Sequence, residues 1–367
     1  MRGSTRGNGL VRALGVQPAF ARGLLPALAL ALFGLTSTAA GQEAAMPKTA
    51  AQEPVPDGAA VLAEARGLLN RGQPAEAIQK LLPLDRGDPR VAQLLGVAYY
   101  QADDPLRAIE LLTPVADALP AGSIEEREAR QVLGLSLYLA GKIAESIPQL
   151  EKTRAWAGDN IDLLNVLGNA YIQTQQPDKA REVFARLFGV APGSAGAHLL
   201  AAQMMVRLEF EDLARAELQA AIAKDPRIPQ ARYLLAQSAI FRARFDEATQ
   251  LLEKELEVNP GNAMALYRLG EALSRQNKWD EAIAALQKSI WLQPYFSGPY
   301  IVLGRAYMKK GQPATAEGLL RRALQYDPNN KSAHYLLGQL LQQAGREDEA
   351  RRELEIAERL QGEPERR

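Results

Sequence analysis

The sequence predicts an all-α chain of nine tandem helix-turn-helix units, each 34 residues long where the repeat is regular. Three observations predict it. Prolines recur at that interval, at Pro192, Pro226, Pro260, Pro294 and Pro328. Three further series keep the same register: Ala180, Ala214, Ala248, Ala282, Ala316 and Ala350; Phe184, Leu218, Leu252, Leu286, Leu320 and Leu354; and the small residues Gly168, Ala202, Ala236, Gly270, Gly304 and Gly338. Composition agrees, because aromatics are only 6% and Ala, Leu, Glu, Gln and Arg recur throughout, which favours helix over sheet.

Taken in order, residues 1–40 read as an export signal. Arg2, Arg6, Arg12 and Arg22 carry the only charges there, an apolar run extends from Gly23 to Phe33, and Ser37-Thr38-Ala39-Ala40 supply small cleavage-site residues. The apolar core is shorter than a membrane span requires. Losing those four arginines from 43 basic residues leaves 39 against 43 acidic ones, a net charge of −4. Residues 41–57, with Pro54 and Pro56 and no apolar period, read as a flexible linker.

The repeats then fill 58–362. Ala65, Gly72, Ala77, Leu81 and Pro89 mark a first unit, read as closed by Pro89. Leu95-Gly96, Tyr99, Ala108, Leu112 and Pro120 mark a second, and Gly134, Ser146 and Leu150 a third in which Gly158 stands for the closing proline. Six strictly periodic units follow. In residues 263–296, Leu266, Leu269, Gly270 and Leu273 share one helical face, and Ala282, Ile283, Leu286 and Ile290 share another. Pro74, Pro105, Pro177 and Pro313 stand where a second helix begins, since a missing N–H costs nothing there. Asn262 and Asn330 are placed to cap the next first helix. The small residues predict close approach of the paired helices, with the Leu/Phe series filling the gap. Residues 363–367 remain as a polar tail. The repeats leave no room for a separate catalytic domain, and a two-helix unit must stack on its neighbours to bury its apolar face.

This pattern resembles the tetratricopeptide repeat family. Leu269-Gly270, Leu273, Ala282, Leu286 and Pro294 fill the family's slots in one unit, and Leu303-Gly304, Tyr307, Ala316, Leu320 and Pro328 fill them in the next. The slot near the start of the first helix, usually aromatic, holds His198, Arg232, Leu266, Tyr300 or His334. The resemblance implies a right-handed superhelical solenoid whose first helices line a concave groove that holds extended peptides. The asparagine ladder of O-linked N-acetylglucosamine transferase repeats is missing, and so are the lysines of the chaperone-cofactor carboxylate clamp.

There is no Cys, so thiol catalysis, disulfides and Cys-based metal sites are excluded. The two His, His198 and His334, occupy one repeat slot and read as packed core residues, so no metal site, cofactor or catalytic residue is expected. A net charge of +0 offers no global field for nucleic acid. A polar stripe along the first helices remains. One position after the small residue lie Asn169, Gln203, Gln237, Glu271, Arg305 and Gln339. Four earlier lie Asn165, Tyr233, Tyr267 and Tyr335 among apolar residues, and four later lie Gln173, Arg207, Phe241, Arg275, Lys309 and Gln343. These positions share one helical face. Amide, Tyr and Arg side chains suit a peptide backbone and its side chains, and Arg275, Arg305, Lys309 and Lys310 favour a ligand with negative charge. Tyr267 and Arg305 are expected to point away from the core.

The expected function is a non-enzymatic protein-interaction scaffold in a bacterial periplasm or cell envelope, with a protein or peptide partner and no membrane insertion after signal cleavage. The alternatives are a substrate-presenting accessory subunit of a separate glycosyltransferase or polysaccharide-secretion complex, a self-assembling structural repeat protein, and tethering through an uncleaved signal anchor.

Overall fold

Helix boundaries in this chain follow from side chains that satisfy or stop the backbone. The structure is a computed structural model and describes residues 58–158 and 160–362. The expected signal segment, linker and polar tail lie outside these residues. The described residues form eighteen α-helices and no strand, paired as nine helix-turn-helix repeats.

The chain divides into two units, Met1–Gly189 and Val190–Arg367. The first holds α1 (Gly58–Asn70), α2 (Pro74–Leu81), α3 (Pro89–Gln101), α4 (Pro105–Leu112), α5 (Ile124–Leu139), α6 (Ile143–Ala157), α7 (Ile161–Gln173) and α8 (Pro177–Leu187). The second holds α9 (Ala195–Arg207), α10 (Glu211–Lys224), α11 (Ala231–Phe241), α12 (Phe245–Val258), α13 (Ala263–Arg275) and α14 (Trp279–Leu292). It continues with α15 (Ser297–Lys309), α16 (Pro313–Tyr326), α17 (Lys331–Gln343) and α18 (Glu347–Gly362). Odd-numbered helices are the first of their repeat.

Asn262 and Asn330 cap α13 and α17 as the spacing predicts, accepting the N–H groups of Ala265 and Ala333 at 3.0 and 3.1 Å. Asn160, Ser123 and Ser194 do the same for α7, α5 and α9. Pro74, Pro105, Pro177 and Pro313 open α2, α4, α8 and α16. From α10 onward, each second helix followed by a periodic proline ends two residues before it, because a residue preceding proline is pushed out of the helical region.

The reading of the first two repeats is corrected. Pro89 does not close the first repeat; it is the first residue of α3, with Asp88 as its cap. Pro120 lies beyond the end of α4 rather than closing it. Pro83 and Pro114 stop α2 and α4 after 8 residues each. The extra residues before Gly134 are absorbed by a connector that buries Val115, Ala116 and Leu119 and by a first helix, α5, of 16 residues.

The small residues act as the spacing predicts. A Cβ on Gly270 would lie 2.4 Å from Leu286 Cγ and 3.2 Å from the Ala282 carbonyl. A Cβ on Gly168 would lie 2.5 Å from Phe184 Cζ. The helices of a repeat therefore meet backbone to side chain, and Phe184, Leu218, Leu252, Leu286 and Leu320 in these gaps are buried, a gain of about 1.5–3 kcal/mol for each such side chain, while Leu354 is half-buried. Within each unit, a second helix packs on its own first helix and on the first helix of the next repeat. In the first unit, and from α11 to α17 in the second, consecutive first helices also touch, while second helices make no comparable approach to one another. Each of these layers therefore bends with its first helices inside.

Candidate functional site: the inner face of the first helices

The stripe residues fall on both units, and each unit treats them differently. In the first, Asn165 and Asn169 stand one turn apart on α7, and Asn169 is 8% exposed. The Oδ1 atoms of both are buried without a hydrogen-bond partner. Gln173, one turn further, donates from Nε2 to Tyr138 Oη at 3.1 Å, which ties α7 to α5. Burial pushes the Tyr138 hydroxyl pKa up, against the opposing pull of the Gln173 and Asn169 amides.

The same face of the first unit carries a network that the stripe did not include. Arg66 on α1 binds Glu128 on α5 through Nη1, at 2.7 and 2.6 Å from the two carboxylate oxygens. Gln93 on α3 donates to the same carboxylate at 2.7 Å. Three successive first helices are thus joined by one partly buried carboxylate. Gln93 lies three residues before Gly96, as Asn165 lies three before Gly168. Extending the stripe into the irregular repeats would have found it.

In the second unit two tyrosines are held by their own helices. Gln237 donates to Tyr233 Oη at 2.9 Å, and Gln339 donates to Tyr335 Oη at 2.9 Å. Each pair is one helical turn apart, so the ring is oriented before any ligand arrives. Gln203 donates to Gln230 Oε1 at 3.2 Å. Arg207, Arg275 and Lys309 are exposed, Arg305 is half-buried, and none of the four forms an ion pair among the described residues.

Two expectations are revised. Tyr267 does not point away from the core: it is half-buried, packs against the cluster of Leu286, Val302 and Leu303, and meets the Phe296 ring edge-on at 5.1 Å. Arg268 covers its face at 5.2 Å while pairing with Glu271 at 2.8 Å, so Glu271 is already committed. Burial also pushes the Tyr267 hydroxyl pKa up. Lys310 is likewise engaged, by Asp280 on α14.

His198 and His334 are the packed residues their slot predicts. The Nδ1 of each lies 2.6 Å from a carboxylate on the paired helix, Glu217 and Glu353 respectively. His334 Nε2 lies 2.8 Å from the carbonyl of Pro328, and Tyr300 donates to the carbonyl of Pro294 at 2.8 Å. The variable slot thus accommodates polar-tipped rings that satisfy the carbonyl of the closing proline.

Comparison with known proteins places this architecture. No curated protein matches the chain. Among solved structures, MamA residues 41 to the end from Desulfovibrio magneticus RS-1 is 20% identical, covering 46% of this chain and 94% of that one with a TM-score of 0.42. The Cut9–Hcn1 hetero-tetramer of the APC/C is 18% identical over 77% of this chain and 55% of that one, with a TM-score of 0.42. YrrB, described as a TPR protein with an unusual peptide-binding site, is 20% identical over 49% of this chain and 93% of that one, with a TM-score of 0.43. Tetratricopeptide repeat models match residues 137–204 and 307–366, and a second such model matches 233–295. Together they span more than half of a chain whose described residues are helix-turn-helix repeats throughout, and the protein belongs to the tetratricopeptide repeat family.

Proposed function

We propose that this protein is a non-enzymatic interaction scaffold that holds an extended peptide segment of its partner on the inner face of the first helices, and that it is exported to the cell envelope. One observation carries the groove reading: Tyr233 and Tyr335 are oriented by Gln237 and Gln339 on that face, which also carries Arg207, Arg275, Arg305 and Lys309, cations with no ion-pair partner among the described residues. Pre-oriented rings lose little freedom on binding, and Tyr and Arg concentrate binding energy at interfaces. The export reading rests on the arginines, apolar run and small residues of 1–40.

The groove is tested with the full chain on an array of random peptides. Folded protein should capture a defined subset, and Tyr335→Ala combined with Arg275→Ala should weaken that capture by about 30-fold or more, the loss expected for removing a hot spot worth about 2 kcal/mol. Both side chains are exposed, so the helical circular-dichroism spectrum should not change. Undiminished capture by the folded variant would move the interaction off this face. Export is read from the N-terminus of the protein isolated from its host, which should begin near residue 40; a mature chain starting at Met1 would refute signal cleavage.

A further inference from the structure

The helices of the second unit divide their charge by layer. Its five first helices carry seven Lys and Arg residues against a single acid, Glu271. Its five second helices carry seventeen Asp and Glu residues against nine Lys and Arg. The first unit shows no such division: its first helices hold five acids and four bases. Helix dipoles account for part of the pattern, since Arg207, Arg275 and Lys309 sit in last turns where cations are favoured. They do not account for the rest. The same dipole favours acids in first turns, yet the first turns of α9, α11, α13, α15 and α17 contain none, whereas those of α10, α12, α14 and α18 do. The inner layer of this unit is positive because acids are missing from it, and the helix dipole does not account for their absence.

A second feature borders the stripe at Gln237 and Phe241. Between α9, α10 and α11 lies a gap of about 200 Å³, walled by Val206, Leu218, Leu234, Leu235 and Phe241. Phe241 occupies a stripe position and is 82% exposed at the mouth of the gap, and Gln237 lines it. Its polar rim is mixed: Glu211 is paired with Arg242 at 2.9 Å, and Arg215 with Glu247 at 3.5 Å. A space this size admits a ring the size of benzene, and an apolar side chain inserted there would cover Phe241.

Resting on the groove reading above, we infer that the second unit selects an acidic peptide segment and seats one large apolar side chain of it in the gap beside Phe241, while its carboxylates lie along Arg275, Arg305 and Lys309. The polar chemistry favours a peptide over a polyphosphate. Gln237 and Gln339 spend an amide N–H on their tyrosines, which leaves their carbonyl oxygens as acceptors. A peptide backbone supplies N–H donors to such acceptors, whereas a phosphate backbone supplies none. The four first helices that touch in sequence, α11 to α17, at interaxial spacings of about 10 Å span about 30 Å, or about nine extended residues.

The test uses the full chain and random peptides about nine residues long, a length set by that span. Captured peptides should be net negative and contain a large apolar residue. A captured peptide remade with Gln for each Glu should bind about tenfold more weakly at low ionic strength, and the difference should vanish in concentrated salt. Arg275→Glu with Lys309→Glu, both exposed positions, should abolish the preference for acid, and Phe241→Ser should abolish the preference for the apolar residue. Capture of neutral or basic peptides that still depends on Tyr335 would overturn the charge selectivity and leave the groove standing. Capture of no peptide would overturn both. A single-stranded thymidine oligonucleotide that binds as tightly as the acidic peptides would overturn the assignment to a peptide.

Discussion

At the turn between the two helices of a repeat, one residue takes a positive φ. It is Gln175, Glu209, Ala243, Asn277, Gly311 and Gly345 in the six regular repeats, at φ between 57° and 72°. Gly72, Asp103 and Gly141 hold the equivalent place in the first three. The position ends the first helix, as the bonds from Arg244 N to Ala239 O and from Ala243 N to Ile240 O show. Only Gly adopts this conformation without a steric cost. Ala243→Gly should therefore raise stability by about 0.5–1 kcal/mol, and a chemical-denaturation midpoint that does not rise would contradict this. The series was not legible in the sequence, because five of its nine residues are not Gly. A second residue-scale device was hidden altogether. The slot of Asn262 holds Ile228 in the preceding repeat, so α11 starts late and lacks a side-chain cap. Glu255, fully buried on α12, accepts the Gln230 N–H at 2.8 Å in its place. Only the fold brings these residues, 25 apart in sequence, into contact.

Among elements, the closest contacts are the helix pairs, and their apolar seam was legible from the Gly, Ala and Leu series. The polar ties between helices were not, because charged side chains keep no strict period. Arg346, which precedes α18, reaches Glu317 on α16 at 2.9 Å and Glu349 on α18 at 2.6 Å, and Arg321 joins both acids. Arg346 and then Arg321 hold the Glu349 carboxyl below its usual pKa. For Glu317 burial pushes upward, but Arg321 and Arg346 outweigh it and the net direction is also down. Carboxyls lowered on folding contribute stability that is fully present above their unfolded pKa and is lost as pH falls through the folded value. The last two repeats should accordingly loosen as pH drops below the ordinary Glu range of about 4.3. Arg346→Gln should flatten the acid limb of the stability curve. An unchanged acid limb in that variant would remove the network from any stabilising role.

For the whole chain, each repeat depends mainly on its neighbours, so damage should stay local. Ala282 is fully buried where α13 and α14 meet. Ala282→Leu should overpack that contact and cost about 1–3 kcal/mol. Hydrogen exchange should then show lost protection in α13 to α16 and unchanged protection in α1 to α6. A uniform loss across both units would mean that the array unfolds as one cooperative body. The division between the units, after Gly189, falls within the strictly periodic repeats.

By itself the sequence determined the all-α class, the regular repeats and which small and large residues meet in the seam of their helix pairs. These are local properties, repeated until chance is excluded, and a small residue facing a large one at a constant offset has one steric solution. Tertiary structure alone decided how the polar stripe is used. It buries Asn169, engages Glu271 and packs Tyr267 into the joint with α15, while it leaves Arg207, Arg275 and Lys309 without ion-pair partners among the described residues. Periodicity places a side chain on a face, but its availability depends on what the neighbouring repeat brings within hydrogen-bonding distance. That distance is set by crossing angles and by side chains far apart in sequence.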